Sequence, residues 1–290
     1  MIKKIITLSA LSASLFAAQN DIYPTDYVAN KIGDVVTTLY FSESSADEVY
    51  SHDNKILNET MKTSLQVLRV GYTTEFSGFA TAFTAVVYNA KTTFDGAMLE
   101  KLYPKETSGF GDVRLGMTTW LINDSENMEY FAITPMLSLP LGKYDASSPI
   151  NIGENRYKAT LSAGYVNRII HHEAGELFLE LSPEIAFFGD NDNARGKKIK
   201  QDPSFALTAY LRYRPVPYIG IFTGYQINQG GETSVNDIWQ NDEPNNSKLM
   251  FGGAIFLYGT QIILRHAQDL HVKNGFKTNN QTTLRLQWNF

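Results

Sequence analysis

Over much of this chain, apolar and polar residues alternate one for one. Leu284, Leu286, Trp288 and Phe290 share one parity, and Arg285, Gln287 and Asn289 the other. Successive side chains of a strand point to opposite faces, so this stretch reads as a strand with one oily and one polar face. The pattern recurs upstream. Tyr157, Ala159, Leu161, Ala163 and Tyr165 oppose Lys158, Thr160, Ser162 and Gly164. Leu177, Leu179, Leu181, Ile185 and Phe187 oppose Glu180, Ser182 and Glu184, and Phe205, Leu207, Ala209, Leu211 and Tyr213 oppose Thr208, Tyr210, Arg212 and Arg214. About twelve strands are predicted, at residues 34–43, 64–76, 79–90, 110–122, 129–139, 156–167, 176–188, 204–214, 218–228, 248–258, 260–267 and 282–290; ten or fourteen also satisfy the pattern.

The connections alternate too. Long ones run over 44–63, 91–109, 140–155, 189–203, 229–247 and 268–281. Short ones fall at Ser77-Gly78, Asn123–Met128, Arg168–Gly175, Pro215–Pro217 and Tyr258-Gly259. A transmembrane barrel pairs short periplasmic turns with long outer loops on an even number of strands, whereas a soluble sandwich has no reason to. The predicted fold is all-β: a transmembrane antiparallel up-and-down β-barrel over residues 34–290.

Composition sharpens the picture at the front of the chain. Lys3 and Lys4 precede an apolar, acid-free run that ends at Ala18, which reads as a secretory signal over residues 1–18. No later apolar run approaches the roughly 18 residues of a spanning helix. Residues 19–33 contain Pro24 and mixed polar positions and do not read as a strand. The segment is either a periplasmic tail or an insertion into the lumen, where Tyr23 and Tyr27 would line a path for aromatic solutes by stacking. The formal net charge of −5 argues against nucleic acid as a partner. There is no cysteine, so an exported chain must hold itself by hydrogen bonding and packing alone. Phe79, Phe131, Tyr165, Tyr213, Leu257 and Phe290 fall at the short-turn ends of strands and read as an interfacial girdle facing outer-membrane lipid. Trp288 and Phe290 resemble the assembly signal that barrel-assembly machinery reads on outer-membrane barrels.

Candidate chemistry adds little. His171-His172-Glu173 looks like a metal cluster, but neighbouring strand residues point apart, and a solvated turn explains it. Glu180 and Glu184 share a face about 13 Å apart, too far for a glycosidase pair. Asp190-Asn191-Asp192-Asn193 departs from calcium-loop spacing, because Gly196 falls one place late and Gln201 stands where a glutamate belongs. His266 lies near a strand end on the lipid side with Ile262 and Leu264, no nearby serine stands on its strand, and there is no Gly-x-Ser-x-Gly. The chain is expected not to be an enzyme and to carry neither cofactor nor metal. Alternation instead assigns Arg69, Asp112, Arg114, Lys158, Glu180, Glu184, Arg212, Arg265 and Arg285 to the lumen. Cations outnumber anions there by six to three, which would favour small anionic solutes, aromatic carboxylates or acidic sugars among them.

Four short motifs then carry a family resemblance. They are Pro24-Thr25-Asp26-Tyr27-Val28-Ala29, Gly109-Phe110-Gly111-Asp112-Val113, Leu139-Pro140-Leu141-Gly142-Lys143-Tyr144-Asp145 and Asn155-Arg156-Tyr157. In this order and spacing the chain resembles the outer-membrane family labelled the meta-pathway of phenol degradation. The resemblance implies a transporter-like barrel in the outer membrane of a Gram-negative bacterium, with uptake of aromatic or other hydrophobic small molecules. It implies no catalytic residues. Leu141 stands where the family often has threonine, and Asn30-Lys31-Ile32-Gly33 where it often has a Pro-Pro-Gly segment. An acidic-oligosaccharide or nucleoside channel of the same fold, and a non-transporting structural or adhesion barrel, are the competing expectations.

Overall fold

The computed structural model describes residues 21–290. The signal reading of residues 1–18 therefore lies outside the described residues. The chain runs through β1 (Val35–Ser51), β2 (Asn54–Leu57), β3 (Thr60–Phe76), β4 (Phe79–Asp95), the single-turn helix α1 (Leu99–Leu102), β5 (Glu106–Phe110) and β6 (Val113–Asp124). It continues through β7 (Glu129–Leu139), β8 (Lys158–His172), β9 (Gly175–Phe188), β10 (Asn191–Ala194), β11 (Lys197–Gln201) and β12 (Ser204–Val216). The last elements are β13 (Ile219–Gly230), β14 (Thr233–Val235), β15 (Ile238–Trp239), β16 (Asn245–Leu257), β17 (Thr260–Val272) and β18 (Gly275–Asn289).

Twelve of these strands, β1, β3, β4, β6, β7, β8, β9, β12, β13, β16, β17 and β18, pair antiparallel with their neighbours in chain order. Pairing of β1 with β18, from Val36 with Asn289 to Tyr50 with Gly275, closes the sheet on itself. Closure removes both edges, so every strand backbone can be satisfied from within the sheet, as an acyl-chain environment demands. Outward positions carry a continuous apolar belt that includes Phe41, Val70, Phe83, Leu137, Leu161, Leu211, Phe251 and Leu264. Phe76, Phe79, Tyr218, Tyr258 and Phe290 lie exposed at the short-turn end.

The short turns are set by backbone chirality. Ser77-Gly78 and Tyr258-Gly259 place both central residues at positive φ, the type I′ geometry whose twist matches two paired strands. At the opposite end the structure departs from the expected loops. β1 runs on to Ser51 and β3 begins at Thr60, while β17 and β18 reach Val272 and Gly275, so 268–281 is a tight hairpin rather than a long loop. The extensions are polar on both faces, as in Ser42-Glu43-Ser44-Ser45, so hydrophobic alternation fades there although the hydrogen-bond ladder does not. The connections 189–203 and 231–244 are ordered as well. β10, β11, β14 and β15 form a separate four-stranded sheet over the outer mouth.

Candidate functional site

The lumen is occupied by the chain's own N-terminal segment. Residues 21–33 turn back on themselves between Asp21 and the start of β1. The Tyr23 N–H donates to Asp26 Oδ2 at 2.8 Å, and the Asp26 N–H donates to the Tyr23 carbonyl at 3.1 Å. A further turn bonds the Val28 N–H to the Thr25 carbonyl. Gly33 donates to Thr73 O at 2.8 Å and anchors the end of the segment to β3. Thr25 has a φ of 74°, which is costly for a β-branched residue. The surroundings hold it there: its N–H donates to Glu180 Oε2 at 2.7 Å, and Gln261 Nε2 donates to its hydroxyl at 2.7 Å.

Four arginines of the wall grip this segment directly or through a shared carboxylate. Asp26 Oδ1 lies 2.9 Å from both Arg69 Nη2 and Arg285 Nη2. Arg265 Nη2 lies 2.8 Å from Asp21, and the Arg265 guanidinium sits over the Tyr23 ring, 3.9 Å from its centroid. Glu180, which receives the Thr25 N–H, is paired with Arg212 at 2.6 Å. The aromatic residues of the segment complete the docking. Tyr23 packs into a cluster with Tyr40, Tyr210, Phe222 and Met250. Tyr27 packs with Trp120, Tyr130, Val166 and Phe178. The Tyr27 hydroxyl donates to Ser162 Oγ, and Trp120 Nε1 donates to the Tyr27 carbonyl at 2.8 Å. A Cβ at Gly164 would fall within the Tyr27 ring, so that position of β8 must be glycine for the ring to lie against the backbone.

A second polar centre lies at the outer mouth. Asp112 is buried and accepts the N–H groups of Gly142 at 2.9 Å and Glu154 at 2.8 Å. Burial pushes its carboxyl up, against the opposing pull of those two donors. It thus clasps the loop 140–157 to the start of β6 rather than facing the open lumen. Backbones meet here almost without side chains between them. A Cβ on Gly142 would lie 2.7 Å from the Gly111 carbonyl carbon, and one on Gly153 2.8 Å from the Gly142 carbonyl carbon. Arg156, paired with Glu154 at 2.9 Å, seals the far end. Three of the four motifs quoted for the resemblance therefore converge on one clasp, and the fourth supplies the segment inside the barrel.

Of the remaining sequence-predicted lumen residues, Lys158, Glu180, Glu184, Arg212, Arg265 and Arg285 are buried on the inward side. Arg114 borders the open cavity and stacks over Tyr88, 5.2 Å from the ring centroid. The cation excess expected from the wall is reduced, because with Asp112 committed to the clasp, Asp21 and Asp26 join Glu180 and Glu184 to set four anions against six cations. Alternation reads the wall and is blind to what fills it. Asp21 and Asp26 were missed as lumen charges for that reason, although Asp26 lies within a quoted motif. Trp288 is half-buried on β18, and Phe290 exchanges backbone hydrogen bonds with Val35 at 2.9 and 3.0 Å where the barrel closes. Among the described residues no cluster of three histidine, cysteine, aspartate or glutamate side chains is placed to hold a metal ion.

Two open spaces lie in the lumen among the described residues. A cavity of about 470 Å³ lies between the segment and the outer mouth, bordered by Tyr23, Tyr40, Tyr88, Arg69 and Arg114 among others. A smaller one, about 70 Å³, lies beside the segment and reaches Asn30 and Gln287 toward the short-turn end.

Residues 30–286 match the family model described as "Putative MetA-pathway of phenol degradation". The chain belongs to this family. The match takes in the three clasp motifs and stops short of Pro24–Ala29. Among solved structures, an outer-membrane channel from Pseudomonas putida F1 is similar at 24% identity and a TM-score of 0.85, covering 93% of this chain and all of that one. The transport unit of the autotransporter AIDA-I from Escherichia coli follows at 11% identity and a TM-score of 0.52, covering 99% of this chain and 98% of that one. The β domain of the Bordetella autotransporter BrkA is similar at 8% identity and a TM-score of 0.54, covering 89% of this chain and all of that one. These likenesses concern the fold. No curated protein matches the chain.

Proposed function

We propose that the protein is a passive outer-membrane channel of a Gram-negative bacterium, admitting small aromatic or other hydrophobic molecules and their anions. The observation that carries this reading is the pairing of an apolar exterior with a charged interior in which the N-terminal segment leaves open space beside and above it. Purely structural barrels of similar size gain stability by filling the lumen with side chains. Here a twelve-strand circumference is narrowed by a docked segment instead, with tyrosines and arginines on the cavity wall. Tyrosine faces suit an aromatic ring, and guanidinium groups suit a carboxylate. The reduced cation excess argues for modest rather than strong anion preference.

The test is reconstitution in planar bilayers under a salt gradient, reading conductance, reversal potential and block by benzoate-type acids against sugar acids. Block by aromatic acids at lower concentration than by sugar acids supports the reading; block by sugar acids alone supports an acidic-oligosaccharide channel. A second reading is favoured by the outer sheet, whose β15 exposes Ile238 and Trp239. That surface suits adhesion to a partner at the cell surface, and a folded barrel that carries no current would decide for it.

A further inference from the structure

The segment does not fill the lumen evenly. On the side of β8, β9, β12 and β17 it is bonded tightly to the wall. Tyr27 meets Ser162 there, Thr25 meets Glu180, the Tyr210 hydroxyl donates to the Ile22 carbonyl at 2.9 Å, and Arg265 meets Asp21. Phe178, Tyr210, Arg212 and Arg265 fill much of that side, and where the inward residues are small, at Gly164 and Ser162, the Tyr27 ring takes up the space. On the side of β3, β4 and β6 the segment is held by Arg69 on Asp26, by the Thr73 carbonyl on the Gly33 N–H and by Trp120 on the Tyr27 carbonyl, and between these points the small inward residues Gly71, Thr73, Ala82, Thr84 and Thr118 leave room. The smaller open space lies along this seam.

The seam also joins the two spaces. Asp26, Arg69, Thr84 and Thr118 border both the outer cavity and the smaller space below it, and they are the four residues common to the two. Arg69 is the guanidinium at that junction. Its side chain is 27% exposed, whereas those of Arg265 and Arg285 are at most 1% exposed. Asp26 is held by two arginines, so Arg69 can leave it for another anion while Arg285 continues to neutralise the carboxylate. Arg265 has no such freedom, lying flat on Tyr23.

We propose that solutes cross along the seam between the N-terminal segment and the β3–β4–β6 wall, and that Arg69 is the specificity-determining residue there, taking the carboxylate of a small organic acid in exchange for Asp26. The proposal rests on the channel reading above. It names one side of the segment as the path and one of six lumen cations as the one a solute meets.

Because the chain has no cysteine, single-cysteine variants need no background removal. Thr84→Cys and Thr118→Cys line the seam, while Ala206→Cys and Thr208→Cys lie buried on β12, on the far side. In bilayers, a charged methanethiosulfonate reagent should cut the conductance of the first two by more than half and leave the other two unchanged. Arg69→Gln should shift the reversal potential toward cations and weaken benzoate block severalfold, and Arg69→Lys should restore part of the block. Block through Thr208→Cys but not Thr84→Cys, or unaltered benzoate block in Arg69→Gln, would overturn the proposal while leaving the channel reading intact. If the wild type carries no current, the channel reading fails, and labelling rates read by mass still judge the path. Faster labelling at positions 84 and 118 than at 206 and 208 keeps the seam as the open route, and equal or reversed rates remove it.

Discussion

Removing the Asp26 carboxylate should loosen the segment from the lumen. Asp26→Ala leaves Arg285 at 1% side-chain exposure without its counter-charge, with only the Pro24 carbonyl at 3.4 Å and Gln287 to satisfy it. Breaking one partner out of a buried ion pair costs about 3–5 kcal/mol. Arg69 adds little to that cost because it is already in contact with water. A shift of this size multiplies the released population by roughly two to three decades or more. Tyr23 and Tyr27 still favour docking, so the expected outcome is a channel that fluctuates between the wild-type level and a larger one. Deleting residues 21–31 sets the upper level, since it removes the segment outright. The assay is single-channel recording on heat-modifiable, refolded protein, comparing wild type, Asp26→Ala, Asp26→Asn and the deletion. Asp26→Asn keeps an acceptor oxygen and should lie between wild type and alanine. Wild-type conductance and noise in both Asp26→Ala and the deletion would refute the argument, because the segment would then not be what narrows the pore.

The outer clasp makes its own demands. Asp112→Ala leaves the Gly142 and Glu154 N–H groups without their acceptor, at about 1–3 kcal/mol for each buried unsatisfied group, and loop 140–157 should become cleavable by protease while the barrel stays heat-modifiable; an uncut loop would sink the clasp. Gly111→Ala would drive a methyl into the Tyr88 ring and should expose the same loop, again read by limited proteolysis. Phe290→Asp should slow insertion, since it puts a charge at the interface beside the closing β1–β18 seam; normal yield of membrane-embedded protein would count against that. A bulky maleimide should reach Asn193→Cys from outside intact cells and should not reach Ser77→Cys or Pro217→Cys; the opposite pattern would invert the orientation. Asn274 is a poor labelling site, because its side chain is buried and bonded to the His52 N–H and the Glu243 carbonyl.

The barrel was readable because its physics is periodic. Once Leu161 and Ser162 are assigned to opposite faces, each strand's neighbours follow, and the short turns mark where the period resets. The outer third was not readable in that way. In Ser42–Asp47 and Asp269–Asn280 polar residues stand on both faces, so apolar parity is broken down to isolated positions such as Ala46 and Phe276, which pack into a small core, and backbone pairing carries the rest. The four-stranded outer sheet was hidden for another reason. Its strands are two to five residues long and pair between two separate loops, which leaves no signal within either. Asp112 had the right parity for a lumen residue, yet its partners are backbone N–H groups thirty and forty-two positions away, which parity does not encode.

The same distinction explains why the lumen's charges look more unbalanced from sequence than they are. A buried arginine is tolerated only where its charge is met. Arg69, Arg265 and Arg285 stand on strands whose inward neighbours offer Thr38, Gln261, Gln287 and Tyr40, but no carboxylate. A wall that places three guanidinium groups close together without acids of its own requires either an anionic guest or an anionic part of the chain. Residues 21–33 supply the latter, with Asp21 and Asp26 in reach of all three. The arrangement is therefore asymmetric in a useful sense: the chain's carboxylates occupy sites that a small organic anion also fits, and Arg69, the least buried of the three guanidinium groups, is where such an anion competes on the most even terms.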